Sequence, residues 1–284
     1  MKPRAAAWVA AACLITAATG TATTQDHDLS TRGLVSRAAA YVSDYQQRLT
    51  AVVADEEYRQ EILAQVPVDP GMPLTRRLRS EVFFVFEPID RQWMAIRDTM
   101  LVDGQPVRDK LSARQAFETL SPWEVRRRFS EFNARWNLGR ITRNFNEPTL
   151  ALLVFDEQHR SRFTFDRRAV SRTPDAVLAT LEFRERERPT LIRDVLLGAV
   201  FSRGEIVVDA GGEVRRTSFR LELEGVRAEL ITDYAPNEKL GMRVPSVFRE
   251  RYERGREGSK RYDRISCEAV YSNYRRFDVL TRVK

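Results

Sequence analysis

The side chains able to do chemistry are few. Histidine occurs as His27 and His159, and cysteine as Cys13 and Cys267. A mononuclear zinc site draws on several His or Cys ligands, more than this set offers. A serine on a sharp Gly-x-Ser-x-Gly elbow and a glycine-rich phosphate cradle are both absent from the sequence. Cys267 and His159 are the one thiol–imidazole pair that could act as nucleophile and base. His159 stands in Asp156-Glu157-Gln158-His159-Arg160, which reads as an exposed polar loop, and His27 lies close to the start of the chain. Cys267 falls in an alternating stretch, Ile265 to Tyr274, on the side of Ile265, Ala269 and Tyr271. That placement predicts an inert, buried thiol.

Carboxylates are plentiful, 40 in all. Asp98, Asp103 and Asp109 gather around one expected hairpin, flanked by Arg97 and Arg108. Two carboxylates converging in a cleft can hydrolyse a glycosidic bond. The same residues also serve as turn formers and surface ion pairs, which is what their spacing around a turn suggests. No residue is assigned a catalytic, metal-ligating or cofactor-binding role, and no cofactor is implied.

The remaining chemistry is apolar. Several expected strands carry Phe, Tyr, Trp and Val on both faces, Val82-Phe83-Phe84-Val85-Phe86 above all. A curved sheet of this kind has a concave face that can hold an acyl chain or another apolar ligand. Phe83, Phe86, Trp93, Phe129, Phe132 and Trp136 are the candidate lining residues. The same pattern also fits a filled core sealed by a helix.

The elements that position these residues follow from periodicity. Lys2 and Arg4 precede an apolar run from Ala5 to Ala18, then the small residues Thr19-Gly20-Thr21-Ala22. That order reads as a cleavable secretion signal over residues 1–22, implying an exported, periplasmic or secreted protein. The run is shorter than the roughly 20 residues a membrane span needs, and no later segment is long and apolar enough. Residues 23–73 are expected to hold a helix over 30–66, with Leu34, Ala38, Tyr41 (or Val42), Tyr45, Leu49, Val52 and Val53 at three- and four-residue spacing. Val66-Pro67-Val68-Asp69-Pro70-Gly71-Met72-Pro73 would then be a linker.

Residues 74–284 read as a β-rich domain. Asp103-Gly104 and Ala210-Gly211-Gly212 are turn signals. A helix is expected over 112–138, opened by Ser121-Pro122-Trp123-Glu124 and faced by Val125, Phe129, Phe132 and Trp136. Leu150 to Phe155 fits either a buried strand or a short helix. Alternating stretches through Phe163, Val177, Ile206, Thr217, Val226, Val244 and Ile265 imply an antiparallel meander. The expected class is α+β, mainly antiparallel β.

The chain is basic, at +7, yet its charges interleave, as in Arg184-Glu185-Arg186-Glu187-Arg188. A nucleic-acid binder gathers positive charge on one face, so nucleic acid is not an expected partner. These runs are expected to form a solvated surface of mutually paired charges.

The C-terminal half resembles the envelope lipoprotein-carrier superfamily, the LolA/LolB/RseB-like half-barrels. The residues that carry the likeness are Gly204-Glu205-Ile206-Val207-Val208-Asp209, Val214-Arg215-Arg216, Ile231-Thr232-Asp233-Tyr234, Leu240-Gly241-Met242-Arg243-Val244-Pro245 and Tyr271-Ser272-Asn273-Tyr274-Arg275-Arg276-Phe277. The chain is also similar to a group of exported bacterial proteins without an assigned function, through Arg97-Asp98, Val102-Asp103-Gly104, Pro148-Thr149-Leu150-Ala151-Leu152 and Arg188-Pro189-Thr190-Leu191-Ile192. The resemblance implies a half-open antiparallel barrel with helices packed on its concave side. It implies a non-enzymatic carrier or sensor, with a lipid or acyl ligand or an envelope protein as partner. The alternative is an interaction module with a filled core. No ligand residue of the superfamily maps onto this chain.

Overall fold

The computed structural model describes residues 28–89, 91–108, 112–141, 143, 147–173, 176–194, 198–223 and 225–277. The expected signal, residues 1–22, lies outside them, as do His27 and Asp109.

Helix α1, Thr31–Leu49, opens where the Ser30 hydroxyl accepts from the Gly33 amide, and it buries Leu34, Ala38, Val42, Tyr45 and Leu49 on one stripe. It stops well short of residue 66. Val52–Val66 is instead a strand, β1. It pairs with Thr75–Glu87 (β2) on one side and with the distant segment Tyr262–Arg276 on the other, where Ile62 stands opposite Ile265. The physical reason for the change from helix to strand lies in Glu56 and Gln60. Val52, Ala54, Glu56, Tyr58, Gln60 and Ile62 form one alternating buried row. Two polar members disguise its period of two as a helical pattern. The expected helix over 30–66 therefore ends at Leu49, and the rest of that stretch is a central strand of the sheet.

The remaining strands are Gln92–Val102 (β3), Gln105–Pro106 (β4), Phe163–Arg172 (β5), Val177–Glu185 (β6), Ile192–Asp194 (β7), Gly198–Val200 (β8), Arg203–Asp209 (β9), Val214–Leu223 (β10), Val226–Asn237 (β11), Met242–Gly255 (β12) and, last, Tyr262–Arg276 (β13). Eleven of the strands form one antiparallel sheet in the order β4-β3-β2-β1-β13-β12-β11-β10-β9-β6-β5, and β7 and β8 make a separate hairpin. The two end strands, β4 and β5, do not pair with each other, so the sheet is open. Asp103 and Gly104 both take positive φ between β3 and β4, the mirror-image turn that the Asp-Gly pair signals.

One face of this sheet carries the main core. Helix α1 and a buried 3-10 segment, Leu150–Phe155, pack there against Phe84, Trp93, Phe183, Phe219, Leu230 and Phe248. Arg37 donates to the Ala210 carbonyl at 2.7 Å, and Arg48 reaches the Leu240 and Gly241 carbonyls. Helix α1 thus lies across the sheet end that carries the β9–β10 and β11–β12 turns. At Gly212, with φ +90°, a Cβ would stand 2.5 Å from the Arg37 backbone, so the helix rests directly on that turn. This is the expected half-open sheet with a helix on its inner face.

The expected helix over 112–138 is two helices, Ala113–Thr119 (α2) and Pro122–Ala134 (α3), each opened by a reciprocal serine cap, at Ser112 and Ser121. The break falls at Ser121-Pro122, since proline removes an amide and suits the first turn of a new helix. Both pack on the outer face, over Phe83, Met94 and Ile96, in a second cluster with Phe277. They are therefore not a lid over the inner face.

Candidate functional site

The six candidate lining residues do not line one cavity. Phe83 and Phe129 belong to the outer cluster. Trp93 is buried in the main core, and Phe86 and Trp136 pack against that core. Phe132 is half-buried beneath the Arg135 guanidinium, 3.6 Å from its ring centre. Strand alternation separates them: Phe83 and Phe86 are an odd number of residues apart, so they face opposite sides of β2.

What the inner face does gather is a polar seam. Arg97 Nε donates to both oxygens of buried Glu56, at 3.0 and 2.9 Å, and its Nη2 reaches the Tyr271 hydroxyl at 3.3 Å. Tyr58 and Tyr252 both donate to one oxygen of Glu250, at 3.1 and 3.0 Å. Gln60 donates to the Trp136 carbonyl and accepts from the Leu138 amide and from Arg143. Burial pushes the Glu250 carboxyl above its ordinary range, against the pull of Arg97 and Arg143. Burial also lifts the Cys267 thiol to about 12, the opposite of what a nucleophile needs.

The other chemistry-bearing residues have structural tasks. Asp98 accepts from the Ala113 amide at 2.8 Å, at the start of α2. Asp103 accepts from the Arg77 amide at 2.8 Å in its turn. His159 is half-buried rather than exposed, and burial holds its imidazole below the ordinary value while Asp156 pulls the other way. Its charged neighbours are Asp156, Arg162 and Arg91, whereas those of Cys267 are Glu250 and Arg143, so the two do not share a site. Glu185, expected on a solvated surface, is buried and accepts from the Leu191 and Ser202 amides.

Two openings adjoin this framework. A cleft of about 70 Å³ lies between β3 and α3, lined by Arg97, Arg126, Phe129, Asn133, Arg143 and Glu147 among others. A groove of about 520 Å³ lies at the sheet end opposite α1, beside the β10–β11 turn. Leu221 and Ala228 belong to its inner-face lining, Phe201 stands 46% exposed, and arginines outnumber glutamates around it. Sequence reasoning missed the seam and both openings. The one local signal was polar residues at buried strand positions, which alternation alone does not distinguish from a surface face.

No family model matches the chain, and no curated protein matches it. Among solved structures it is similar to a LolA superfamily protein from Nitrosomonas europaea, with 10% identity and a TM-score of 0.34 over 88% of this chain and 94% of that one. It is similar also to a DUF1329 family protein from Desulfovibrio piger, with 12% identity and a TM-score of 0.34 over 88% and 95%. The fold itself stands on the strand order and packing described above. Among the described residues, no helix is long and apolar enough to cross a membrane.

Proposed function

We propose that this chain is an exported, periplasmic or secreted, non-enzymatic binding protein that takes an anionic amphiphile, such as a fatty acid, in the groove at the open end of the sheet. The observation that carries this reading is the groove itself. Its volume, about 520 Å³, falls within the range of small-molecule sites. Phe201 and Leu221 offer apolar contact, and the arginine-rich rim suits a negative head. Helix α1 packs its buried side chains against the core residues of the sheet, which favours the groove over the space between them.

The test is titration of delipidated protein with cis-parinaric acid, read by fluorescence. Saturable binding should weaken several-fold in Phe201→Asp, a substitution at a half-exposed position. Absence of saturable binding, or an unchanged affinity in the variant, overturns the assignment.

A second reading, an envelope interaction module with a filled core, is favoured by a separate observation. Leu63, Val66, Val68 and Leu74 are all exposed around the β1–β2 connection, and clustered exposed apolar residues mark interaction surfaces. A photo-crosslinking residue at Val68 that captures one defined envelope protein in cells would support it; crosslinks no different from those at an exposed control site would not.

A further inference from the structure

We propose that the cleft between β3 and α3 is a binding site for a small oxyanion, a carboxylate or phosphate group, with Arg143 as its anchor. This site is separate from the groove and does not depend on that reading.

Arg143 is 3% exposed. A buried guanidinium is costly unless it is paired. Its Nη1 donates to the Leu138 carbonyl at 2.7 Å, and its Nη2 to Gln60, both neutral acceptors. Its Nε has no hydrogen-bond partner among the described residues. No carboxylate among them lies within 4.0 Å of it, whereas the other two arginines of the cleft are answered: Arg97 by Glu56 at 2.9 Å and Arg126 by Glu147 at 2.9 Å. The carboxylate that acts on Arg143 from beyond contact distance is Glu250, whose carboxyl burial raises above its ordinary range. The lining therefore holds one cation without a close counter-charge among the described residues.

Donor capacity points the same way. A guanidinium carries five N–H donors. The Arg97 Nη groups make only long contacts, 3.5 Å to the Ala95 carbonyl and 3.3 Å to the Tyr271 hydroxyl. Asn133 is fixed, donating to the Arg97 carbonyl at 2.8 Å and accepting from Thr99 at 3.1 Å, so it braces the wall. A cleft of about 70 Å³ has room for about five water-sized groups, the five heavy atoms of one phosphate. Glu147 lines the same cleft, where its ion pair with Arg126 at 2.9 Å offsets its charge toward an anion.

The experiment is isothermal titration calorimetry of the full chain with inorganic phosphate, with acetate, and with a short-chain phosphatidic acid below its micelle concentration. The expected result is saturable one-to-one binding of at least one of them. It should weaken about tenfold or more in Arg143→Gln, the loss of a charge-assisted contact. Because that variant removes a buried residue, Ala134→Trp provides the second arm. Ala134 is exposed at the end of α3 and lines the cleft, so Trp should close the cleft, abolish binding and leave the melting temperature unchanged. Binding of phosphate or acetate identifies a free anion; binding of phosphatidic acid alone, with the same dependence on both variants, identifies a lipid headgroup. No saturable heat with any probe, or binding that survives Ala134→Trp in a folded protein, overturns the proposal.

Discussion

Replacing Asp156 with Asn should cost the fold about 3–5 kcal/mol at neutral pH, the usual loss when one partner of a buried ion pair is removed. The Asp156 side chain is fully inaccessible, and Arg91 is mostly buried beside it. Arg91 Nε donates to both its oxygens, at 2.9 and 2.8 Å, while Gln46 Nε2 on α1 donates at 2.9 Å and the Gln158 amide at 3.0 Å. The cluster joins α1, the β2–β3 turn and the 3-10 segment. Asn keeps the shape but leaves the guanidinium with only the exposed Glu157, 3.2 Å from its Nη1, as counter-charge, which puts the loss at the low end of that range. At roughly 2–4 °C per kcal/mol, a loss of about 3 kcal/mol lowers Tm by about 6–12 °C.

The pH dependence supplies a second check. Burial alone would raise the Asp156 pKa, but the hydrogen bonds from Arg91 and Gln46 outweigh it and hold the carboxyl below its ordinary 3.8. Its contribution is therefore complete above the unfolded value and is lost as pH falls through the folded one. Urea denaturation of both proteins should show a gap that is constant near neutrality and narrows below about pH 3.8. Arg91→Met combined with Asp156→Asn should cost less than the two single changes summed. A gap under about 1 kcal/mol at pH 7, or one unchanged by acid, would refute the reasoning.

Other outcomes follow from single contacts. Glu250→Gln should make stability less sensitive to pH: burial raises the folded pKa, so the wild type loses stability as pH rises from the unfolded carboxyl value, and the difference between the two proteins tracks that loss in denaturation series. Tyr45→Phe should leave stability unchanged or raise it by about 1 kcal/mol, because the buried hydroxyl has no partner among the described residues; a loss in thermal melts would count against this. Gly212→Ala should destabilise by more than about 1 kcal/mol in urea denaturation, through the clash with α1 at a left-handed position. Cys267 should resist Ellman's reagent in the native protein and react fully in denaturant.

The antiparallel meander is legible in the sequence because strands bury every second residue. Thr217, Phe219, Leu221 and their polar alternates state that period directly, and Asp103-Gly104 and Ala210-Gly211-Gly212 mark turns through backbone preferences that are local. The serine cap at Ser121 is readable for the same reason, and with Pro122 it splits the expected helix in two, while the cap at Ser112 opens α2. The course of β1 could not be read, because Glu56 and Gln60 occupy buried positions whose compensation comes from Arg97, Leu138 and Arg143, all distant in sequence. Nor could the face on which α3 docks, which puts Phe129 with Phe83 and away from Phe86 and Trp93. A side chain's type and spacing follow from local sequence; whether a buried charge finds its partner depends on the register of strands far apart along the chain, and only the tertiary structure decides that.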